Sequence, residues 1–282
     1  MLAQTPRSSS TKRIPLQYSE LHEQAAWVLY RITAEQLQAS VSRTDDFRPD
    51  EAVALGSALL EDYRGSGFDR GHMAPVAAMA WSVEVISESF LLSNISPQEP
   101  GFNRGIWRDL EARVRDWANL HGEVFVVTGP VLQEQLPRIG PNEVSVPEYY
   151  YKVVVDLQPP EIEGVGFILP NGSADQLLGR YAVTIDSVEV VTGFDFFPVV
   201  VDSVEEELER TISGEHWGFE VREVPTLTGD FDGSGKVDFN DFFVFADGFG
   251  GSDPTLDLDG SGKVDFNDFF IFADNFGKAR AG

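Results

Sequence analysis

Cysteine is absent from this 282-residue chain. That excludes disulfides, thiolate metal sites and a cysteine nucleophile, so any metal must be held by oxygen or by histidine. Histidine is itself scarce, with 4 residues, and so is methionine, with 3. No run approaches the roughly 18 apolar residues that cross a bilayer, so no membrane span is expected. The start, Met1-Leu2-Ala3-Gln4-Thr5-Pro6, carries no apolar export core, and an export signal would have to be one already removed. Positive charge is the remaining shortage, with 21 Lys and Arg against 46 Asp and Glu, a net of −25.

The acidity is spread over the chain. From Thr226 onward there are 11 acidic and 4 basic residues, net −7, leaving 35 acidic and 17 basic, net −18, before it. A field of that sign disfavours general steering of a polyanion. The basic residues are nevertheless unevenly chosen, because between Arg43 and Arg115 there are eight arginines and no lysine. Arginine is the side chain suited to planar, bidentate phosphate contacts. Acidic residues in the same span are the competing partners for those guanidinium groups.

What is present is enough for one sizeable core and a small second module: 42% of residues are hydrophobic and 12% aromatic. Residues 1–13, rich in Ser, Thr and Pro, read as a disordered arm. Ala26–Ile32, Phe90–Ile95, Val124–Thr128, Tyr149–Val155 and Val165–Leu169 read as strands. A short helix is expected near Val83–Ser89, and a longer one from Asn103 to the His121-Gly122 stop signal. In the longer helix Ile106, Trp107, Leu110, Val114, Trp117 and Ala118 recur at three and four, so one stripe faces a core. Asp202–Glu209 reads as an acidic surface helix, with a linker at 222–228 between a main domain over 14–221 and a module over 229–282. Strands and helices that do not alternate argue an α+β fold.

The most specific stretch is Asp69-Arg70-Gly71-His72-Met73-Ala74-Pro75, which sets one imidazole beside an arginine. Asn94, Asn103, Arg104 and Glu111 follow, and two glycine- or arginine-bearing loops, Ser42–Asp50 and Tyr63–Phe68, precede it. Phosphodiester hydrolysis needs an activated nucleophile and charge relief at the phosphate and leaving oxygen. His72 suits the first task as general base. The Asn103 amide oxygen plus water suits a hard ion such as Mg²⁺. On a regular helix Asn103 and Glu111 stand about 12 Å apart along the axis, so Glu111 would reach the same ion only through water. His22, His121 and His216 have no comparable context and read as structural or exposed.

These motifs, with Leu92–Gln98, Phe102–Trp107, Val127–Pro130, Val146-Pro147 and Asp195–Pro198, resemble the DNA/RNA non-specific endonucleases of the ββα-metal, or His-Me finger, fold. The resemblance runs from about Ile14 to Gly218. It implies a mixed, mainly antiparallel sheet and a secreted one-metal nuclease that cuts DNA and RNA with little sequence preference, leaving 5′-phosphate ends. By that resemblance His72 is the general base and Asn103 the direct protein ligand to Mg²⁺ or Mn²⁺. Glu111 holds a water of the ion's shell, and Asp69 tunes its surroundings. Asn94 orients the His72 region, while Arg43, Arg70, Arg104 and Arg64 meet phosphate. Arg104 and Asp69 also have a plainer reading as partners of neighbouring charges. The family's tendency to dimerise leaves a homodimer open. The reading from another class is a catalytically weak, surface-attached nucleic-acid-binding or scaffold protein.

The C-terminus is a tandem duplication: Gly229–Gly250 and Leu256–Gly277 match at 18 of 22 positions. Each copy carries Asp-x-Asp-Gly-Ser-Gly-Lys-Val-Asp-Phe-Asn-Asp, with oxygen ligands at the spacing of an EF-hand-type calcium loop. The ligands are Asp230, Asp232, Ser234, the Lys236 carbonyl, Asp238 and Asp241 in the first loop. In the second they are Asp257, Asp259, Ser261, the Lys263 carbonyl, Asp265 and Asp268. With one short helix after each loop, the module resembles a dockerin, which binds cohesin-type receptors and anchors secreted enzymes. It implies two Ca²⁺ ions, a small all-α fold, a cohesin-like or cell-surface receptor, and an extracellular or surface location. The Phe-Asn pair after the ninth position replaces the small hydroxyl pair common in cohesin-binding dockerins. The plainer alternative is a calcium-stabilised appendage with Phe242, Phe243, Phe245, Phe249 and their repeats as its core.

Overall fold

The computed structural model describes residues 14–159, 162–172, 177–197, 208–219, 227–231 and 234–279. The expected arm, residues 202–207 of the expected acidic helix, linker residues 222–226 and Asp232 lie outside the described residues. The chain divides into two compact units, Met1–Val221 and Arg222–Gly282.

The first unit is built on one six-stranded sheet. Its strands are β1 (Leu16–Ser19), β2 (Gln24–Thr33), β5 (Glu123–Pro130), β6 (Tyr149–Asp156), β7 (Glu163–Pro170) and β8 (Ala182–Val183), hydrogen-bonded in that order. All five pairings are antiparallel. The strands form because both faces bury branched side chains at the two-residue period. One face, with Val28, Tyr30, Ile32, Val126, Val154 and Phe167, packs on α2 (Arg108–His121) through Leu110, Val114, Trp117 and Ala118. The other, with Val127, Tyr151, Val153 and Val155, packs on α3 (Ile185–Thr192) through Ile185 and Val188. This is a mixed α+β fold with an antiparallel sheet at its centre.

A separate two-stranded sheet, β3 (Asp69–His72) with β4 (Ile95–Gln98), carries the DRGH motif. Its register pairs Asp69 with Gln98, Gly71 with Ser96 and His72 with Ile95. Between the two strands lies α1 (Val83–Ser89), capped by Ser82, where the sequence places a helix. The expected strand over Phe90–Ile95 is corrected: Leu92–Asn94 is a 3-10 turn and the strand begins at Ile95. Asn94 is spent on side-chain bonds to backbone, which favours the turn over a ladder. A buried network ties this ribbon to the main sheet. Ser96 Oγ lies 2.5 Å from both Gln24 Oε1 and the Tyr150 hydroxyl, and that hydroxyl donates to the Pro97 carbonyl at 2.8 Å.

The expected single helix from Asn103 is also corrected. Asn103–Trp107 forms a wide π-turn, broken at Gly105 (φ −103°, ψ −118°), and regular helix begins only at Arg108. A residue without Cβ makes that break accessible. No helix among the described residues is long and apolar enough to cross a membrane.

In the second unit, α5 (Phe239–Gly248) and α6 (Phe266–Asn275) begin at capping boxes made by Asp238 with Asp241 and by Asp265 with Asp268. The two halves cross-bond, Gly250 N to Val264 O at 2.9 Å and Val264 N to Gly251 O at 3.0 Å. The core is smaller than the phenylalanine count suggests. Phe245, Phe272, Leu256 and Val264 are buried, whereas Phe243, Phe249, Phe270 and Phe276 are exposed by 42% or more.

Candidate active site

The site grows from β3. His72 stands between two phenylalanine rings, with centroids 5.4 Å from Phe47 and 5.1 Å from Phe90. The guanidinium of Arg70 lies 4.0 Å above the Phe47 ring and that of Arg43 lies 5.2 Å from Phe90. Among the described residues His72 Nε2 is shielded from solvent and has no hydrogen-bond partner. Burial, then the charges of Arg43 and Arg70, push the imidazole down to about 3, against a small opposing pull from Asp45. The ring is therefore neutral at neutral pH, with a nitrogen available for a proton.

Asn94 fixes the turn that follows. It is buried, its Oδ1 accepts from Ala74 N at 2.9 Å, and its Nδ2 donates to the carbonyls of Ala74 and Ser89 at 3.1 and 2.8 Å. Met73 N donates to Asn94 O at 2.9 Å as well. These bonds hold the strand end immediately after His72.

Asn103, at the start of the π-turn, donates Nδ2 to Asp69 Oδ2 at 2.9 Å. That fixes the amide orientation and leaves its Oδ1 without a hydrogen bond among the described residues. Arg104 grips both oxygens of Asp69, at 2.8 and 2.6 Å. Burial acts to raise the Asp69 pKa, but the bonds from Arg104 and Asn103 and the charges of Arg104 and Arg70 hold it below the usual carboxylate range. A cleft of about 500 Å³ opens here, lined by Arg43, Arg64, Asp69, Arg70, Asn103 and Tyr63 among others. Three of the sequence-selected arginines thus share one cleft. Arg43 also pairs with Asp45 at 3.2 Å and Arg64 with Glu61 at 3.8 Å. Arg70 makes no ion pair among the described residues.

Glu111 follows on α2; its residue surface is part-exposed, and its carboxyl feels the charges of Lys152 and Arg115. Lys152 is the functional-site neighbour that sequence reasoning missed. It is fully buried on β6, 3.0 Å from Thr128 Oγ1 and 4.3 Å from the Trp107 ring. Burial raises the Glu111 pKa and lowers that of Lys152, and each partner's charge offsets part of the shift. The signal was a lysine inside Tyr149–Val155, an otherwise apolar run. With the helix kinked at Gly105, the 12 Å axial spacing expected for Asn103 and Glu111 does not apply.

A DNA/RNA non-specific endonuclease family model matches residues 3–203. The chain belongs to that family. Human mitochondrial endonuclease G is 36% identical over 195 residues, covering 63% of this chain and 65% of the relative. A nuclease of Nostoc sp. is 32% identical over 209 residues, covering 70% of this chain and 75% of the relative. Among solved structures, a chain of the crystal structure of the EndoG/EndoGI complex, described as showing the mechanism of EndoG inhibition, superposes with a TM-score of 0.67 at 30% identity. It covers 78% of this chain and 93% of that one. The family match ends before the duplicated loops begin. This non-specific endonuclease family member spans just under two thirds of the length of the human relative.

Proposed function

We propose that this protein is a metal-dependent phosphodiesterase that hydrolyses DNA and RNA without sequence preference, leaving 5′-phosphate ends. The observation that carries the reading is the neutral His72 on the strand that also supplies Asp69 and Arg70 to a cleft, which gathers Arg43 and Arg64 with the free amide oxygen of Asn103. Contacts to the backbone alone explain a lack of sequence preference.

The donor set fits a hard divalent ion. An amide oxygen whose nitrogen end is already committed to Asp69, beside a carboxylate kept ionised, is oxygen chemistry of the kind Mg²⁺ or Mn²⁺ takes together with water. Asn103 would be the direct protein ligand, Glu111 would act through water, and Asp69 would act from outside the ligand shell. When bound, such an ion supplies charge relief at the scissile phosphate and the leaving oxygen. His72 accepts the proton of the attacking water through Nδ1, the ring nitrogen that is not shielded, and Phe47 and Phe90 exclude competing solvent from the rest of the ring. Arg70 and Arg43 meet the phosphate charge, each with its guanidinium over an aromatic ring, and Arg64 extends the same cleft wall. Arg104 acts chiefly on Asp69, and Asn94 keeps His72 aligned.

The C-terminal unit we assign to two Ca²⁺ ions and to anchoring of a secreted enzyme on a cohesin-like or other surface receptor. Three carboxylates of the second loop, Asp257, Asp259 and Asp268, bring oxygens within 4.8 Å of one another. In both loops the sixth-position glycine turns at positive φ, 82° at Gly235 and 85° at Gly262, and its N–H donates to the first aspartate. Carboxylates crowded this way favour a cation between them.

Incubation of plasmid and of RNA with Mg²⁺ tests the reading, wild type against His72→Ala. Loss of the general base should slow cleavage of both substrates by about 10²–10⁴-fold. An active His72→Ala protein would overturn the mechanism, and a wild type that binds but does not cleave would favour a scaffold role.

A further inference from the structure

His121, Asp156 and His216 come from three separate parts of the chain and meet at one end of the main sheet. His121 ends α2, Asp156 ends β6, and His216 lies in the short helix α4 (Gly214–Trp217). The sequence gives no hint of this meeting, because 35 residues separate the first from the second and 60 the second from the third. Asp156 Oδ2 is 3.5 Å from His121 Nδ1 and 3.3 Å from His216 Nε2. All three side chains are at least 86% shielded from solvent, with relative exposures of 14%, 4% and 12%.

The polar atoms are not satisfied by one another. Neither imidazole–carboxylate contact has hydrogen-bond geometry, and His216 Nε2 and His121 Nε2 are both buried without a partner among the described residues. Two imidazoles stacked at 4.1 Å and 11° have no direct bond to offer each other through their faces. Unanswered buried nitrogens of this kind call for a ligand.

We propose that His121, Asp156 and His216 form a second metal site, apart from the catalytic cleft, that takes a divalent transition ion, Zn²⁺ first among them. Ligand atoms around a tetrahedral ion at about 2.0–2.1 Å stand roughly 3.3–3.4 Å apart. The 3.3 and 3.5 Å nitrogen–carboxylate spacings are close to that value, and the stacked imidazoles must turn out of their parallel arrangement for both in-plane lone pairs to meet the ion. Two imidazoles and one carboxylate make a borderline donor set that suits zinc over Ca²⁺ or Mg²⁺. The supporting shell is in place, since Gln158 N donates to Asp156 Oδ1 at 2.9 Å and so turns Oδ2 toward the histidines. The buried Trp217 ring packs against both imidazoles, at 5.8 and 4.7 Å. The negative end of the α2 dipole adds a favourable field for a cation. His121 lies ten residues beyond Glu111 on the same helix, about 15 Å along its axis, so this ion is distinct from the one assigned to Asn103. Its role is to clamp Gly214–Trp217 onto the ends of α2 and β6.

The test uses the full chain, freed of transition metals and held in excess Ca²⁺ and Mg²⁺ to fill the oxygen sites. Titration with Co²⁺ should give visible absorption of a low-coordinate, imidazole-bound ion that saturates at one equivalent. It should also quench tryptophan emission through Trp217, which abuts both imidazoles. Zn²⁺ should displace the Co²⁺ and raise the melting temperature. His121→Gln, His216→Gln and Asp156→Asn should each lose the signal while keeping Mg²⁺-dependent cleavage as proof of folding, and His72→Ala should retain it. A wild type that takes up no Co²⁺ overturns the proposal without reference to any variant. Uptake unchanged in His121→Gln and His216→Gln overturns it equally.

Discussion

His72 gathers the consequences that belong to single residues. Its ordinary pKa near 6.5 falls to about 3 in the folded chain through burial and the nearby arginines. The unfolded chain therefore takes up a proton below pH 6.5 that the folded chain refuses until about pH 3. Stability from this group is complete above 6.5 and is lost as pH falls through that window. Because the residue is partly exposed, we expect roughly 1 kcal/mol of the loss between pH 7 and 5 to come from it. The urea midpoint of His72→Gln should accordingly fall less than that of wild type over the same interval. The same shift puts the acid limb of kcat/KM well below pH 6.5, and a limb at or above 6.5 would show that another group controls it. Lys152 supports a different expectation. Lys152→Met removes the buried ammonium that offsets part of the Glu111 shift and leaves Arg115 as the remaining nearby charge, which should cost about 1–3 kcal/mol in denaturant unfolding. A cost below 1 kcal/mol would show that the pair is not coupled.

At the scale of elements, the β3–β4 ribbon and the kinked entry to α2 are what bring the site together. Gly71 is where the ribbon is tightest: a Cβ there would stand 2.1 Å from the side chain of Gln98, which is fully buried. Gly71→Ala should push the strands apart next to His72, destabilising the protein by about 1–3 kcal/mol and reducing cleavage at temperatures where it remains folded. Unchanged cleavage would mean the ribbon tolerates the shift without moving the imidazole. The helical period of Ile106 to Ala118 was legible because a stripe at three and four has one physical meaning. The break at Gly105 was not, since it falls just before the first position of that stripe, Ile106, where the apolar spacing has nothing to report. The Leu92–Asn94 turn escaped for a similar reason: Phe90–Leu92 has strand composition, and only the three bonds from Asn94 decide otherwise.

Across the whole molecule, charge and duplication dominate. A net of −18 before Thr226 coexists with a cleft holding three arginines, so the polyanion recognition proposed above would rest on a local patch against an overall negative charge. The C-terminal unit carries its own expectation. If its loops take Ca²⁺, calorimetry of the full chain should show a transition that rises with calcium, by about 2.7 kcal/mol at a hundredfold excess over Kd, and falls on chelation. The transition assigned to the nuclease unit should stay fixed. A tail transition indifferent to chelation would remove the calcium assignment.

The sequence by itself determined the α+β class, four of the six strands of the main sheet (β2, β5, β6 and β7), the core stripe of α2, the two repeated loops, and the motif that carries His72. These are written in local period and local motif, which need no knowledge of distant neighbours. Tertiary structure alone decided the rest. It set His72 between Phe47 and Phe90, turned Arg104 onto Asp69, buried Lys152 behind Glu111, and brought His121, Asp156 and His216 together. Each of those joins residues far apart in the chain, and burial and charge at such meetings depend on packing that no local pattern encodes.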